Sequence, residues 1–372
     1  MIIDIGGELA FKTAAFRAAR GQQCFVIDPF GIASGVPAEM QRSFNPMRIL
    51  DDPLSETRIE DAARIAAAIV TEEEGRFDPH WNESARQFLG ALILHVATDS
   101  AYEGKRTLIT VYKLLTGAGE TLYREMDVNV AERGAIMEAS AMLFAKPENE
   151  RRNIMSTAQR HARFLGYPAM GRALSGASID LKMLTAGPVT IYLCVPAARL
   201  DICTPWLRLF VAAVLGAIER ERPVPPLPVV LCLNECAILG RPPILEIASQ
   251  IPKGLRLWTL WSDIGQMKAL YTDRWETFLA TAGMVQLFGN SDLATLEWAS
   301  QRLGETTIRW GSQPETRPAG GWKPGKKKDE PAEACHVVPS LMTGEEIARI
   351  FGREDRLLRQ LVILAGHRPL IV

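Results

Sequence analysis

Seven short stretches are apolar at consecutive positions, without the alternation of a half-buried strand: Met1–Ile5, Gln23–Asp28, Val189–Val195, Val229–Leu233, Leu255–Leu260, Met284–Phe288 and Leu361–Ala365. Unbroken apolar runs of this length are expected of strands covered by helices on both faces, as in a parallel sheet. Helical periodicity lies between them. Trp206–Arg222 reads as a helix ended by Pro223, and Ser291–Arg302 as one ended by Gly304. Thr343-Gly344-Glu345-Glu346 has the spacing of a capping box and opens a helix over Glu345–Phe351. Strand and helix alternating in this way predict a doubly wound α/β domain with a parallel sheet.

The pattern changes over residues 55–172. No strand-like run occurs there, while Ile59–Val70, Trp81–Ala97 and Ile154–Leu165 repeat apolar residues at helical spacing. We expect an all-α insert at 55–172 within an α/β domain formed by 1–54 and 173–372. Residues 311–339 combine Pro, Gly and the run Lys326-Lys327-Lys328. That composition predicts a mobile surface loop. No internal repeat is present.

Composition narrows the class without naming a function. Of 372 residues, 47% are hydrophobic and 23% charged, the proportions of a globular chain. Lys+Arg number 42 against Asp+Glu 43, a net charge of −1. No global field therefore draws the protein to nucleic acid or anionic lipid, and such a partner must meet a local patch. The six cysteines form no CxxC pair and no zinc spacing, and most lie in apolar runs, as reduced core cysteines do. No signal peptide opens the chain, and no apolar run approaches the ~20 residues that cross a bilayer.

The segment most suggestive of chemistry is Val229 to Gly240, an apolar strand that ends in Asn234-Glu235. Its outline is that of a Walker B strand, where one acid holds the Mg²⁺ shell and the next orients attacking water. A plain buried strand with polar residues at its mouth has the same outline. The nearest approach to G-x-x-x-x-G-K-[ST] is Gly6 to Thr13, with Phe11 in place of the second glycine. A benzyl group there fills the space of a phosphate, so this is read as an ordinary strand-to-helix turn.

Taken together, several stretches resemble the type IV secretion coupling proteins of the TraG kind. They are Met1 to Glu8, Phe25 to Gly31, Phe44-Asn45-Pro46, Asp78 to Arg86, Ser156-Thr157-Ala158, Gly187 to Leu193, Leu270 to Phe278, Gly289 to Asp292 and Ala365 to Pro369. The resemblance runs collinearly over nearly the whole chain. It implies a RecA-like P-loop NTPase-type sheet carrying an all-α domain, with ATP and Mg²⁺ as cofactors. It also implies hexamers at the cytoplasmic face of the bacterial inner membrane, which pass DNA with its relaxase complex to the secretion channel proteins. By this resemblance Glu235 orients water, Asn234 contacts the Mg²⁺ shell and Ser262 faces the γ-phosphate.

The departures from the family pattern gather at one place. The family's P-loop and transmembrane helices precede the strand at Met1–Ile5, its Asp-x-Lys-Gly-Glu lysine is Gly6 here, its Walker B aspartate is Asn234, and its glutamine after the next strand is Ser262. Two expectations follow: a motor subunit whose P-loop is supplied by another chain, or a non-catalytic DNA- or substrate-recruitment module. The resemblance also predicts an unfilled place beside Val229–Leu233, where such folds seat the P-loop strand.

The insert carries the local charge. Between Lys146 and Arg172 six positive residues stand against Glu148 and Glu150, a local charge of +4. Arg151, Arg152, Arg160 and Arg163 are the candidate DNA contacts, Arg152, Arg160 and Arg163 on one helical face; a solvated basic face is the alternative. Lys253 or Arg256, just before a strand, is placed to approach a neighbouring subunit's nucleotide. His95 reads as a core histidine, His367 as a site residue or a strand-end cap, and Trp258, Trp261 and Trp275 as packing residues. Cys236 has no local signature of a nucleophile.

Overall fold

The computed structural model describes residues 1–71, 79–117, 119–176, 178–220, 224–225, 227–240, 254–310 and 335–372. Lys253, Asp78 and the greater part of the expected 311–339 loop, with Lys326–Lys328, lie outside the described residues. The chain forms two compact units, 1–260 and 261–372. The division falls after Leu260, inside the stretch expected to form one α/β domain.

Five strands of the first unit make one parallel sheet: β1 (Ile2–Ile5), β2 (Gln23–Ile27), β3 (Val189–Val195), β4 (Val229–Leu233) and β5 (Leu255–Thr259). Their order is β2-β3-β1-β4-β5. Each lies where an unbroken apolar run stands in the sequence. The runs are unbroken because both faces are covered. Helix α1 (Glu8–Ala19) sets Ala10 and Ala14 against Cys24, Val26, Tyr192 and Cys194. The alternate residues Ile3, Ile191, Leu193, Leu231 and Leu233 are no more than 1% exposed. Packed against β3 is helix α10 (Leu200–Arg220), with Trp206, Phe210 and Val214 fully buried.

Helix α10 begins six residues before the expected Trp206 and includes Pro205. In a second turn, proline removes one backbone donor and leaves the rest of the ladder intact. Ala197–Arg220, which contains α10, is long and apolar enough to cross a membrane by length and composition, but half of its apolar window is buried inside the protein.

The expected vacancy beside β4 does not exist. Ile2 pairs with Cys232 on one side of β4, and β5 pairs along its whole length on the other, from Val229↔Leu255 to Leu233↔Thr259. The sheet is closed around β4 because β1 lies directly between β3 and β4.

Among the described residues between 58 and 175 seven α-helices follow: α2 (Arg58–Ile69), α3 (Pro79–Thr98), α4 (Leu108–Gly117), α5 (Glu120–Asp127), α6 (Ala135–Phe144), α7 (Glu148–Ala162) and α8 (Pro168–Ser175). A single turn, α9 (Met183–Ala186), then leads into β3. Helix α3 is the axis of the bundle, with Leu89, Leu92, Ile93 and Val96 fully buried against α2, α4, α6 and α7. Buried ends of ion pairs pin α2. Arg58 donates to Glu132 at 2.5 Å and to the Leu50 carbonyl at 3.0 Å, and Arg220 of α10 holds the buried Asp61.

In the second unit the strands β6 (Met284–Leu287), β9 (Leu361–Leu364) and β10 (Leu370–Ile371) form an antiparallel sheet in the order β10-β9-β6. β7 (Ile308–Trp310) and β8 (Cys335–Val337) form a separate antiparallel pair. The runs at 284–288 and 361–365 are thus strands, but they pair antiparallel with one another. Their partial exposure, seen at Met284, Val285 and Leu364, is what a one-sided sheet leaves. Helices Leu293–Leu303 and Gly344–Ile350 cover it through Leu296, Ala299 and Ile347. The first is capped by Asp292, and the second has the full capping box of Thr343 and Glu346.

His95 is fully buried in α3. The Asn129 side-chain oxygen accepts from the Ala131 N–H, so its NH₂ faces His95 Nδ1 at 3.0 Å. Nδ1 therefore accepts, and the ring is neutral with its proton on Nε2. Burial pushes the imidazole pKa below its ordinary value, against the opposing pull of Asp99 and Glu125. A lowered folded-state pKa gives stability that is present above the unfolded value of about 6.5 and is lost as pH falls below it. Urea unfolding at about pH 8 and about pH 5 should show a loss of stability that is smaller in His95→Gln; equal losses in both proteins would contradict this assignment.

Candidate functional site

The C-terminal ends of the five parallel strands form one edge of the sheet, the usual place for a ligand crevice in such folds. Four turns meet there: Gly6-Gly7 after β1, Asp28–Gly31 after β2, Pro196–Arg199 after β3 and Asn234-Glu235 after β4.

The first turn is occupied by its own chain. Asp4, 1% exposed at the end of β1, accepts from the Leu9 N–H at 3.1 Å and from the Ala10 N–H at 2.7 Å. Those are N-terminal donors of α1, the groups a phosphate would take. Gly6 and Gly7 let the chain turn this sharply, at φ +90° and +77°, and a Cβ on Gly7 would lie 3.0 Å from the Ala33 backbone. The exposed Phe11 ring faces Gly35. This is a strand-to-helix turn sealed by a carboxylate, in agreement with the reading of Gly6–Thr13. Asp28 acts likewise after β2, accepting from Phe30 and Ala33 at 3.2 and 2.7 Å. Arg199 lies over the Phe30 ring at 4.8 Å and ties the β3 turn to the β2 turn.

At the mouth of β4, Asn234 is half-buried and Glu235 exposed. Glu235 has φ 52° and ψ 54°, a left-handed conformation that is costly for a residue with a side chain. The turn is held open by backbone bonds: Cys236 N–H to the Leu260 carbonyl at 3.0 Å and Leu260 N–H to Leu233 at 3.1 Å. The strained turn carries the Glu235 carboxylate outward at the end of the sheet. Beside it, burial pushes the Cys236 thiol up to about 12, so it is inert as a nucleophile.

Ser262 belongs to the second unit. Its N–H donates to the Gln266 side chain at 3.2 Å and its carbonyl accepts from Asn290 at 3.2 Å. Arg256 is exposed on β5, and its guanidinium turns back to the Leu255 carbonyl at 3.1 Å. His367 is exposed in the turn between β9 and β10, its N–H bonded to Leu364, which makes it a strand-end residue. Among the tryptophans, Trp261 and Trp275 pack against Tyr271 and Lys268, whereas Trp258 is 54% exposed on β5. The expectation that Trp258 is a packing residue is therefore corrected. The α1 face of the sheet is covered over β1, β2 and β3, but Val230, on β4, and Trp258, on β5, stay exposed.

Helix α7 separates the four candidate arginines. Its buried stripe is Ile154, Ala158 and Ala162. Arg151 lies next to that stripe, with its guanidinium 5.5 Å from the Phe144 ring centre and donating to the Phe144 carbonyl at 3.2 Å. Arg152 and Arg160 share the outer side, as the 3.6-residue repeat places them, and Arg163 follows in the turn just after the helix. Arg152 is ion-paired with Glu148, Arg160 is 3.1 Å from His161, and Arg163 is exposed. Lys146 pairs with Glu150 and Arg152 with Glu148, the two acids already counted in the net +4.

A family profile described as type IV secretory system conjugative DNA transfer matches residues 1–372. The chain belongs to that family. A conjugal transfer protein TraG of Escherichia coli is 24% identical over 333 residues, which is 83% of this chain and 51% of TraG. The chain thus spans about half the length of this relative. Two solved structures of the conjugative coupling protein TrwB cover 100% of the chain. The unbound form has a TM-score of 0.67 at 17% identity over 78% of its own length, and the complex with ADP and Mg²⁺ a TM-score of 0.68 at 16% over 76%. They show the fold: a RecA-like parallel sheet with a helical domain.

Asp4 and Asp28 are the site-edge residues that motif matching passes over. Their signal is an acid at the end of an apolar run with a glycine turn close behind. Asp4→Ala would leave two helix donors unpaired, one of them buried, and we expect a loss of roughly 1–3 kcal/mol in urea unfolding. A change under about 0.5 kcal/mol would show that water replaces the carboxylate.

Proposed function

We propose that the chain is a coupling-protein component of conjugative DNA transfer, related to DNA-translocating ATPases, whose 372 residues alone do not hydrolyse nucleotide. The observation that carries this reading is the Asp4 carboxylate on the α1 N-terminus, which takes the donors a phosphate needs at the turn nearest to a P-loop pattern. Asn234 and Glu235 fit one edge of a nucleotide site, but among the described residues no group of three or more metal-ligating side chains gathers there. The described residues do not fit Mg·ATP as a complete site, and no catalytic step is assigned to it. A P-loop supplied by another chain, a hexameric assembly, the relaxase–DNA complex and the channel proteins as partners, and a place at the cytoplasmic face of the inner membrane all belong to this proposal.

A second reading, a DNA- or substrate-recruitment module, is favoured by the outer side of α7. Arg152 and Arg160 lie on the side of α7 away from its buried stripe, and Arg163 follows in the turn just after the helix. Contacts of this kind are to phosphate and are independent of base sequence.

Isothermal titration of the chain with Mg·ATP should give no binding tighter than the millimolar range, and Asn234→Asp should not create hydrolysis; micromolar affinity would overturn the first reading. DNA affinity should fall with salt on a log–log slope of about −0.7 to −0.9 for each phosphate contact. Arg152→Ala, Arg160→Ala and Arg163→Ala together should flatten that slope. An unchanged slope would place the DNA elsewhere.

A further inference from the structure

The second unit contains an open cleft whose lining includes part of the Gly289–Asp292 stretch and several charged side chains. It has a volume of about 610 Å³ and lies between the turn after β6, Gly289 to Ser291, and the segment that closes helix Gly344–Ile350. Three arginines line it: Arg349, Arg353 and Arg356. All three are exposed.

The cleft is built around Arg353. Its Nε donates to the Gly289 carbonyl at 3.2 Å, while the Gly289 N–H donates to Phe351 at 2.7 Å. Gly289 has φ +68°, and a Cβ there would lie 3.1 Å from Arg353 Cγ. Gly352, which also lines the cleft, admits no Cβ, since one would sit 2.4 Å from the Ala348 carbonyl oxygen. Two glycines thus give the arginine its seat, and only one of its five donors is spent on the anchor.

Two carboxylates also line the cleft, Glu354 and Asp355. Asp355 is already answered: Arg359 holds it through Nε at 3.1 Å and Nη2 at 3.0 Å, and the Arg359 N–H donates to it at 2.8 Å. These bonds, the guanidinium first, pull its pKa down to about 2. Glu354 is exposed and lines the same cleft as Arg349, Arg353 and Arg356. The loop is also held in a tense shape, with Leu358 at φ 51° and exposed.

A cleft of small-ligand size, lined by forked cations and floored by glycine backbone, matches phosphate in charge and geometry. We propose that this cleft is a phosphate-binding site, in which Arg349, Arg353 and Arg356 take a phosphate group carried by a nucleic-acid strand or by a free nucleotide. It is built from residues other than those of α7 and other than Asn234-Glu235, and the proposal does not depend on either proposed function.

The test uses the whole 372-residue chain. Fluorescence anisotropy with a labelled oligothymidylate, and titration calorimetry with ADP and with inorganic pyrophosphate, probe the two sources. The variant with Arg349→Ala, Arg353→Ala and Arg356→Ala should bind at least one probe about tenfold more weakly. If the strand is the source, the salt slope should also flatten by roughly 0.7 for each phosphate no longer held. Loss confined to the oligonucleotide assigns the site to nucleic acid, and loss confined to ADP and pyrophosphate assigns it to a free nucleotide. Gly289→Ala, which unseats Arg353 without removing charge, should weaken the same probe, and Arg353→Lys should restore part of the binding. Parent-like binding of all three probes by a folded triple-arginine variant, checked by circular dichroism, would overturn the proposal. So would a loss seen equally with Leu357→Ser, a change outside the cleft. The α7 triple variant reads the recruitment proposal separately, because it should leave this decrement in place.

Discussion

A buried carboxylate must be answered by donors, and Asp4 is answered by the N-terminus of α1. That single requirement sets the start of the helix, the sharp glycine turn before it, and the angle at which Ala10 and Ala14 meet Cys24, Val26 and Tyr192. β1 is the middle strand of the sheet, and the helix it launches covers the half of one face made by β1, β3 and β2. The same bonds decide what the turn is able to bind. Helix donors engaged by an internal anion are closed to an external one, so the fold's stability and its lack of a phosphate cradle at this turn have one cause.

The edge of the sheet is organised by the same means elsewhere. Asp28 closes the loop after β2, and Arg199 over Phe30 joins it to the turn after β3. Only the turn after β4 departs from this self-satisfaction. There Glu235 takes a left-handed conformation and remains exposed. In the second unit the Asp355–Arg359 bracket repeats the principle, holding the loop beside the arginine cleft through a fully answered carboxylate. Asp4, Asp28 and Asp355 thus act as internal ligands for backbone N–H and guanidinium groups.

Much was legible beforehand because local pattern carries it. Each of the seven apolar runs became a strand, and the Thr343–Glu346 capping box formed, because strand burial and helix capping are written in residues close together in sequence. Helix α7 was legible as a basic helix for the same reason, and so was the family, whose motifs lie in order along the chain. What was misread depends on partners distant in sequence. The filling of the place beside β4, and the exposure of Trp258, follow from which elements happen to pair with them or cover them.

Sequence by itself thus determined where strands and helices lie, that the protein is of the α/β class, and which residues share a helical face, since these follow from spacing along one chain. Tertiary structure alone decided which strands pair. An apolar run is the same whether its partner is parallel or antiparallel, and so β6 and β9 joined each other while β1 filled the place beside β4. It also decided that Asp4 is a cap rather than a ligand, and that Arg349, Arg353 and Arg356 face the turn at Gly289 from about 60 residues away in sequence. Such contacts close loops far longer than any motif, and their physical basis, the burial and pairing of charge, exists only once the chain has folded.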